Sequence, residues 1–131
     1  MTFADDLNPK FVFQSPLRNV LSDPLDLLEH VDHAIIALDG RAPVGGDSAI
    51  EQLQPVAFDE NAVRVELWVN DLDDYTCTYG FLVSSENGRT PFARGERTVV
   101  NMNPSTHRAE KWSSDFRHAH AELQKDLPAY A

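Results

Sequence analysis

Val63-Arg64-Val65-Glu66-Leu67-Trp68-Val69-Asn70 is the stretch that decides the fold. Apolar and polar side chains alternate through it without a break, and a period of two marks a strand with one buried face. The pattern returns just downstream, where Tyr75, Cys77, Tyr79, Phe81 and Val83 alternate with Thr76, Thr78, Gly80 and Leu82. Asn87-Gly88 follows, the dipeptide favoured in a two-residue hairpin turn, and Phe92 to Met102 reads as the return strand. Upstream, Ser48 to Phe58 reads as a strand carrying Pro55, a residue confined to edges and bulges because it cannot donate to a ladder. Lys10 to Leu17, with Phe11, Phe13 and Leu17 in partial alternation, is a fifth strand.

One long segment breaks the period of two. From about Pro24 to Leu38, the residues Leu25, Leu28, Val31, Ile35 and Leu38 recur at intervals of three and four, which is one face of an amphipathic helix. Ser22-Asp23-Pro24 supplies a capping side chain and then proline at the first turn. The polar side carries Asp26, Glu29, His30, Asp32 and His33, and Gly40, Pro43, Gly45 and Gly46 end the helix in a loop. After the last strand, Asn103-Pro104-Ser105-Thr106 turns the chain. Ser113 or Ser114 then caps a terminal helix whose Phe116, Ala119, Leu123 and Leu127 share one face. Strand, helix, four strands and helix predict an α+β domain with one antiparallel sheet and one main helix. One helix cannot cover both faces of such a sheet, which predicts a homodimer or tetramer.

Composition narrows the function classes. A chain of 131 residues is one domain's worth, and no internal repeat or linker divides residues 1–131. No apolar run approaches the roughly 20 residues of a membrane helix, so no membrane partner is expected. The acidic start, Met1 to Asp6, lacks the basic and apolar regions of a secretory signal. A single cysteine, Cys77, excludes an internal disulfide framework, and a cytoplasmic location is the expectation. The formal charge of −10 argues against nucleic acid. That charge is uneven. Residues 1–74 hold fifteen acids against four bases, whereas six of the eleven bases fall between Arg89 and Arg117. Such a local excess suits an anionic small molecule.

Read alone, the reactive side chains are ordinary. Cys77 sits in an alternating strand and reads as core packing, while His107, His118 and His120 read as surface residues. His30 and His33 share a helix face, but two histidines without further ligand spacing do not make a metal site, and neither a metal nor another cofactor is expected. There is no phosphate loop and no Gly-x-Ser-x-Gly elbow.

The order of elements and several words of sequence resemble the hotdog-fold acyl-CoA thioesterases, especially the 4-hydroxybenzoyl-CoA thioesterase-like group. Glu51 to Phe58 resembles the family's strand ending in a hydrophobic-x-Pro step, and Val63 to Val69 the strand after it. Phe92 to Val100 is similar to the family's last core strand. Asn103-Pro104-Ser105-Thr106 and Trp112-Ser113-Ser114-Asp115-Phe116 resemble the tail of its actinobacterial-type members. Pro24 to His33 is similar to the family's Asp-x-Asp-x-x-Gly-His-Val-Asn loop. Asp26, His30 and Val31 agree with it, whereas Pro24, Glu29 and Asp32 stand where it has Asp, Gly and Asn. A His-Gly-Gly motif is absent.

The resemblance implies a hotdog fold, an antiparallel sheet wrapped around the main helix with the terminal helix outside. It also implies hydrolysis of an acyl-CoA or related thioester. That reaction needs a carboxylate, as nucleophile or as base on water, and donors for the developing oxyanion. Asp26 matches the family's catalytic residue, at a helix start whose free amides and dipole favour negative charge. Glu29 is the second candidate. His30 and the arginines Arg89, Arg94, Arg97 and Arg108 are the candidate contacts to substrate, the arginines for its phosphates. Three other readings stay open. They are a non-catalytic hotdog subunit that binds acyl-CoA or only dimerises, an acyl-thioester hydratase or dehydratase, and a cystatin-like α+β cone.

Overall fold

The structure is a computed structural model. It describes residues 10–17, 24–41, 43–56 and 60–124, and for residues 24–26 the backbone only. Among the described residues seven elements follow one another: β1 (Phe11–Pro16), α1 (Pro24–Asp39), β2 (Ser48–Gln52), β3 (Ala62–Leu72), β4 (Thr76–Ser85), β5 (Pro91–Val100) and α2 (Ser114–Ala121). The strands form one sheet in the order β1-β3-β4-β5-β2, antiparallel at every pairing. This is the hotdog arrangement, with α1 as the filling of the sheet.

The alternation in the sequence becomes the two faces of the sheet. Val65, Leu67 and Val69 of β3 lie opposite Val83, Phe81 and Tyr79 of β4, and all of these, with Val63, are fully buried. The α1 stripe that meets them is Leu27, Val31, Ala34 and Ile35. Leu28 and Leu38 are only partly buried and pack at its margin. The helix is therefore turned slightly from the expected stripe, because Leu27, Val31 and Ala34 lie on one line at helical spacing and include the small residue that permits close approach.

Several boundaries moved. The strand expected to reach Phe58 ends at Gln52, short of Pro55, with Ala57 outside the described residues. The Asn87-Gly88 turn is wider than two residues: the Ser85 amide donates to Thr90, and Gly88 takes a left-handed φ of 78°. Asn87 Oδ1 accepts from both Ser85 Oγ and the Arg89 amide, so the asparagine side chain builds the loop itself. Of the two capping candidates, Ser113 takes the position and accepts from the Phe116 amide at 3.1 Å.

Candidate functional site

Three places hold the chemistry-bearing side chains, and they are the two ends of α1 and the outer face of the sheet. At the first end, Asp26 lies in the opening turn of α1, its side chain outside the described residues. Glu29, three residues on, is exposed. His30 turns inward and is only 8% exposed; its Nδ1 lies 2.5 Å from Oγ of Ser15, a fully buried residue of β1. Its ring meets His33 edge-on at 6.0 Å. His30 thus fastens α1 to β1, since a buried polar group needs a partner.

The four arginines are not gathered into one patch. Arg97 faces α1 and is occupied there: Nε donates to Asp32 at 3.3 Å, and Nη1 donates to the Gly45 and Thr98 carbonyls at 2.7 and 2.6 Å. Arg94, three residues earlier on β5, pairs with Leu82 and so projects from the opposite face. Its side chain is 63% exposed and meets Glu51 at 3.3 Å. Arg89 belongs to the β4–β5 turn and Arg108 to the loop after β5. Alternation on β5 separates the two strand arginines, and this was readable in advance from their odd spacing.

Arg94 borders a cavity of about 540 Å³ on the outer face, together with Lys10, Glu51, Trp68, Leu82 and Glu96. Trp68 lies flat on the sheet across Gly80, and any side chain at Gly80 would strike the indole. A relay holds the ring: Trp68 Nε1 donates to Asn70 Oδ1 at 2.8 Å, and Asn70 Nδ2 donates to Glu96 at 2.8 Å. The cationic rim is already matched by carboxylates, with Lys10 3.5 Å from Glu66.

The other end of α1 holds a network that the sequence reading missed. Asp39 closes the helix with its side chain only 5% exposed. It receives the Tyr79 hydroxyl at 2.6 Å and His120 Nε2 at 2.8 Å. His120 Nδ1 lies 2.9 Å from the Phe116 carbonyl. Carbonyl and carboxylate only accept, so whichever ring nitrogen carries the proton faces an acceptor. Trp112, Phe116 and His120 stack in series with centroids 3.8 and 3.6 Å apart. His120 is therefore buried, which corrects its reading as a surface residue; His107 and His118 are exposed as expected. The available signal was its i+4 spacing from Phe116.

Burial, with Cys77 and Asp39 as lesser causes, holds the Tyr79 phenol far above its ordinary range. Burial likewise pushes the Cys77 thiol up to about 12. Cys77 is thus a protonated core residue at neutral pH and no nucleophile. Among the described residues no three His, Cys, Asp or Glu side chains gather as a metal site would require.

No protein-family model matches the sequence, and no curated protein does. Solved structures do match. A Staphylococcus aureus protein in complex with CoA superposes with a TM-score of 0.74 at 13% identity, over 93% of this chain and 88% of that one. A thioesterase complexed with coenzyme A and Zn from Thermus thermophilus gives 0.71 at 19% identity, over 88% and 95%. A 1,4-dihydroxy-2-naphthoyl-CoA thioesterase from Synechocystis gives 0.66 at 13% identity, over 92% and 100%. At such identities the likeness establishes the fold.

Proposed function

We propose that this hotdog-fold chain hydrolyses an acyl-CoA or a related acyl thioester, with Asp26 as the carboxylate that attacks the thioester carbonyl or activates water. The observation that carries the reading is a hotdog fold, shared with proteins solved with coenzyme A, that sets an acid in the first turn of its central helix. In that position the amides after Pro24 have no carbonyl one turn earlier within the helix to take them, which suits them to the oxyanion of a tetrahedral intermediate. Glu29, exposed one turn on, is the alternative base. Arg94 is the arginine best suited to the anionic end of the substrate, because Arg97 is occupied internally. A homodimer fits this reading, with β2 as a free sheet edge among the described residues and Ile36 of α1 40% exposed.

The test is release of CoA from a panel of aliphatic and aromatic acyl-CoAs. Asp26→Asn keeps the shape but removes the nucleophilic oxygen, and turnover should fall on the order of a hundredfold or more. Glu29→Gln should stay within a few fold. Full activity in Asp26→Asn would transfer the role elsewhere, and a wild-type chain that hydrolyses nothing would favour the non-catalytic reading. Sedimentation at micromolar concentration reads the dimer, and a monomer would refute it.

A further inference from the structure

The turn between β4 and β5 is built around a side chain with a chemistry of its own. Of the seven asparagines in the chain, Asn87 alone precedes a glycine. With no Cβ on the following residue, its backbone nitrogen is unhindered in reaching the asparagine side-chain carbonyl and closing a cyclic imide. Asn87 and Gly88 are both exposed, so water reaches them. The closed turn nevertheless holds every group the reaction needs. Asn87 Oδ1 accepts from Ser85 Oγ at 2.7 Å and from the Arg89 amide at 2.9 Å. Ser85 Oγ is fixed in its turn, accepting from the Thr90 amide at 3.0 Å. The attacking nitrogen, that of Gly88, donates to the Ser85 carbonyl at 2.8 Å. Ser85 thus restrains both reactants, one through its hydroxyl and one through its carbonyl, and is itself only 4% exposed.

We infer that Asn87 is a self-modification site controlled by this turn, protected while the turn is closed and converted to aspartate or isoaspartate when it opens. In the first step the Gly88 nitrogen bonds to Asn87 Cγ, the Cγ–Nδ2 bond breaks, and ammonia leaves carrying the Gly88 amide proton. Water then opens the imide. Cleavage at Cγ gives aspartate, and cleavage at the main-chain carbonyl gives isoaspartate, whose side-chain carbon has entered the backbone. Either product marks the molecule permanently. Aspartate keeps an oxygen for the two donors but brings a charge beside Glu60 and Glu86, which line a cavity of about 330 Å³ with Ser85 and Asn87; like charges there repel. Isoaspartate lengthens a hairpin whose ladder already shifts register between Val83 and Ser84. The inference does not rest on the proposed hydrolysis.

Incubation of the full chain at mildly alkaline pH, followed by digestion and peptide mass mapping, reads the conversion, and isoaspartyl methyltransferase labelling reads the isoaspartate share. In urea, the unfolded chain should lose Asn87 ahead of its other asparagines. The folded chain in the same buffer should lose it about tenfold or more slowly, because three bonds hold the reacting groups and each is worth roughly two- to tenfold in an equilibrium. Ser85→Ala removes the restraining hydroxyl and should speed the loss in the folded chain at least about twofold, leaving the rate in urea unchanged. The first comparison uses the natural chain alone, so it stands even where Ser85→Ala does not fold. Equal rates in the folded and unfolded chains would overturn the inference. So would a folded Ser85→Ala variant that converts no faster than the wild type, or an unfolded chain that loses Asn87 no faster than its other asparagines.

Discussion

The two ends of α1 treat charge in opposite ways. At the start of the helix, Glu29 faces solvent, and His30 turns inward to meet the neutral hydroxyl of Ser15. At its finish, Asp39, Tyr79 and His120 close on one another with almost no exposure, drawing three elements together. A buried polar cluster sealed this way stabilises little relative to apolar packing, yet it is destructive to break, since a buried polar group is then left without its partner. An exposed carboxylate can be changed at little cost and can meet a ligand. The fold thus leaves one end of its central helix open to chemistry and locks the other.

The largest stability effect should come from the locked end. Asp39→Ala takes away the buried carboxylate that both His120 and the Tyr79 hydroxyl reach, and should cost about 2–5 kcal/mol in urea unfolding, since two buried groups lose a partner at roughly 1–3 kcal/mol each. Glu29→Ala at the open end should stay within about 0.5 kcal/mol. A loss under about 1 kcal/mol for Asp39→Ala would mean that the buried pair does not form, and the contrast would collapse.

Ser15→Ala probes a buried polar contact of the open end. It removes the hydroxyl that meets His30 Nδ1, so it should cost about 1–3 kcal/mol, less than the Asp39 change because one buried contact is lost rather than two. A neutral outcome would show that the Ser15 hydroxyl does not hold His30, and that α1 is joined to β1 by apolar packing.

How much of this was legible in the sequence follows the kind of signal involved. Period two at Val63–Asn70 and Tyr75–Val83, and period three to four from Pro24, are repeated many times over, so the sheet, its main helix and the α+β class were readable. Helix phase was less so, because Leu25, Leu27 and Leu28 offer competing stripes and Ala34 decides among them only through close packing. The Asp39–Tyr79–His120 network leaves almost no trace. Its members are 40 and 41 residues apart, and each alone is ordinary: a helix-end acid, a strand aromatic and a surface-type histidine. The scatter of the arginines was half legible. Strand alternation separates Arg94 from Arg97, but only the fold shows that Asp32 takes the latter.

The smallest effect belongs to Asp73, an exposed carboxylate that contrasts with buried Asp39. Its Oδ1 accepts the Tyr75 and Thr76 amides at 2.9 and 2.7 Å, closing the turn between β3 and β4. The Tyr75 amide first, and then Thr76, hold its pKa below the ordinary carboxylate value. The sign of the linkage follows. A depressed pKa means that the unfolded chain takes up the proton first, so the stabilisation is present above about pH 4 and is lost as acid reaches the folded value. Asp73→Asn removes the charge while keeping an amide oxygen to accept. Its urea midpoint should be slightly lower than wild type at pH 7, and the gap should narrow as acid carries the wild-type carboxylate down through its depressed pKa. A gap that stayed constant as the pH was lowered would assign the turn's stability to geometry alone, and the acid sensitivity of the fold would then lie with its other carboxylates.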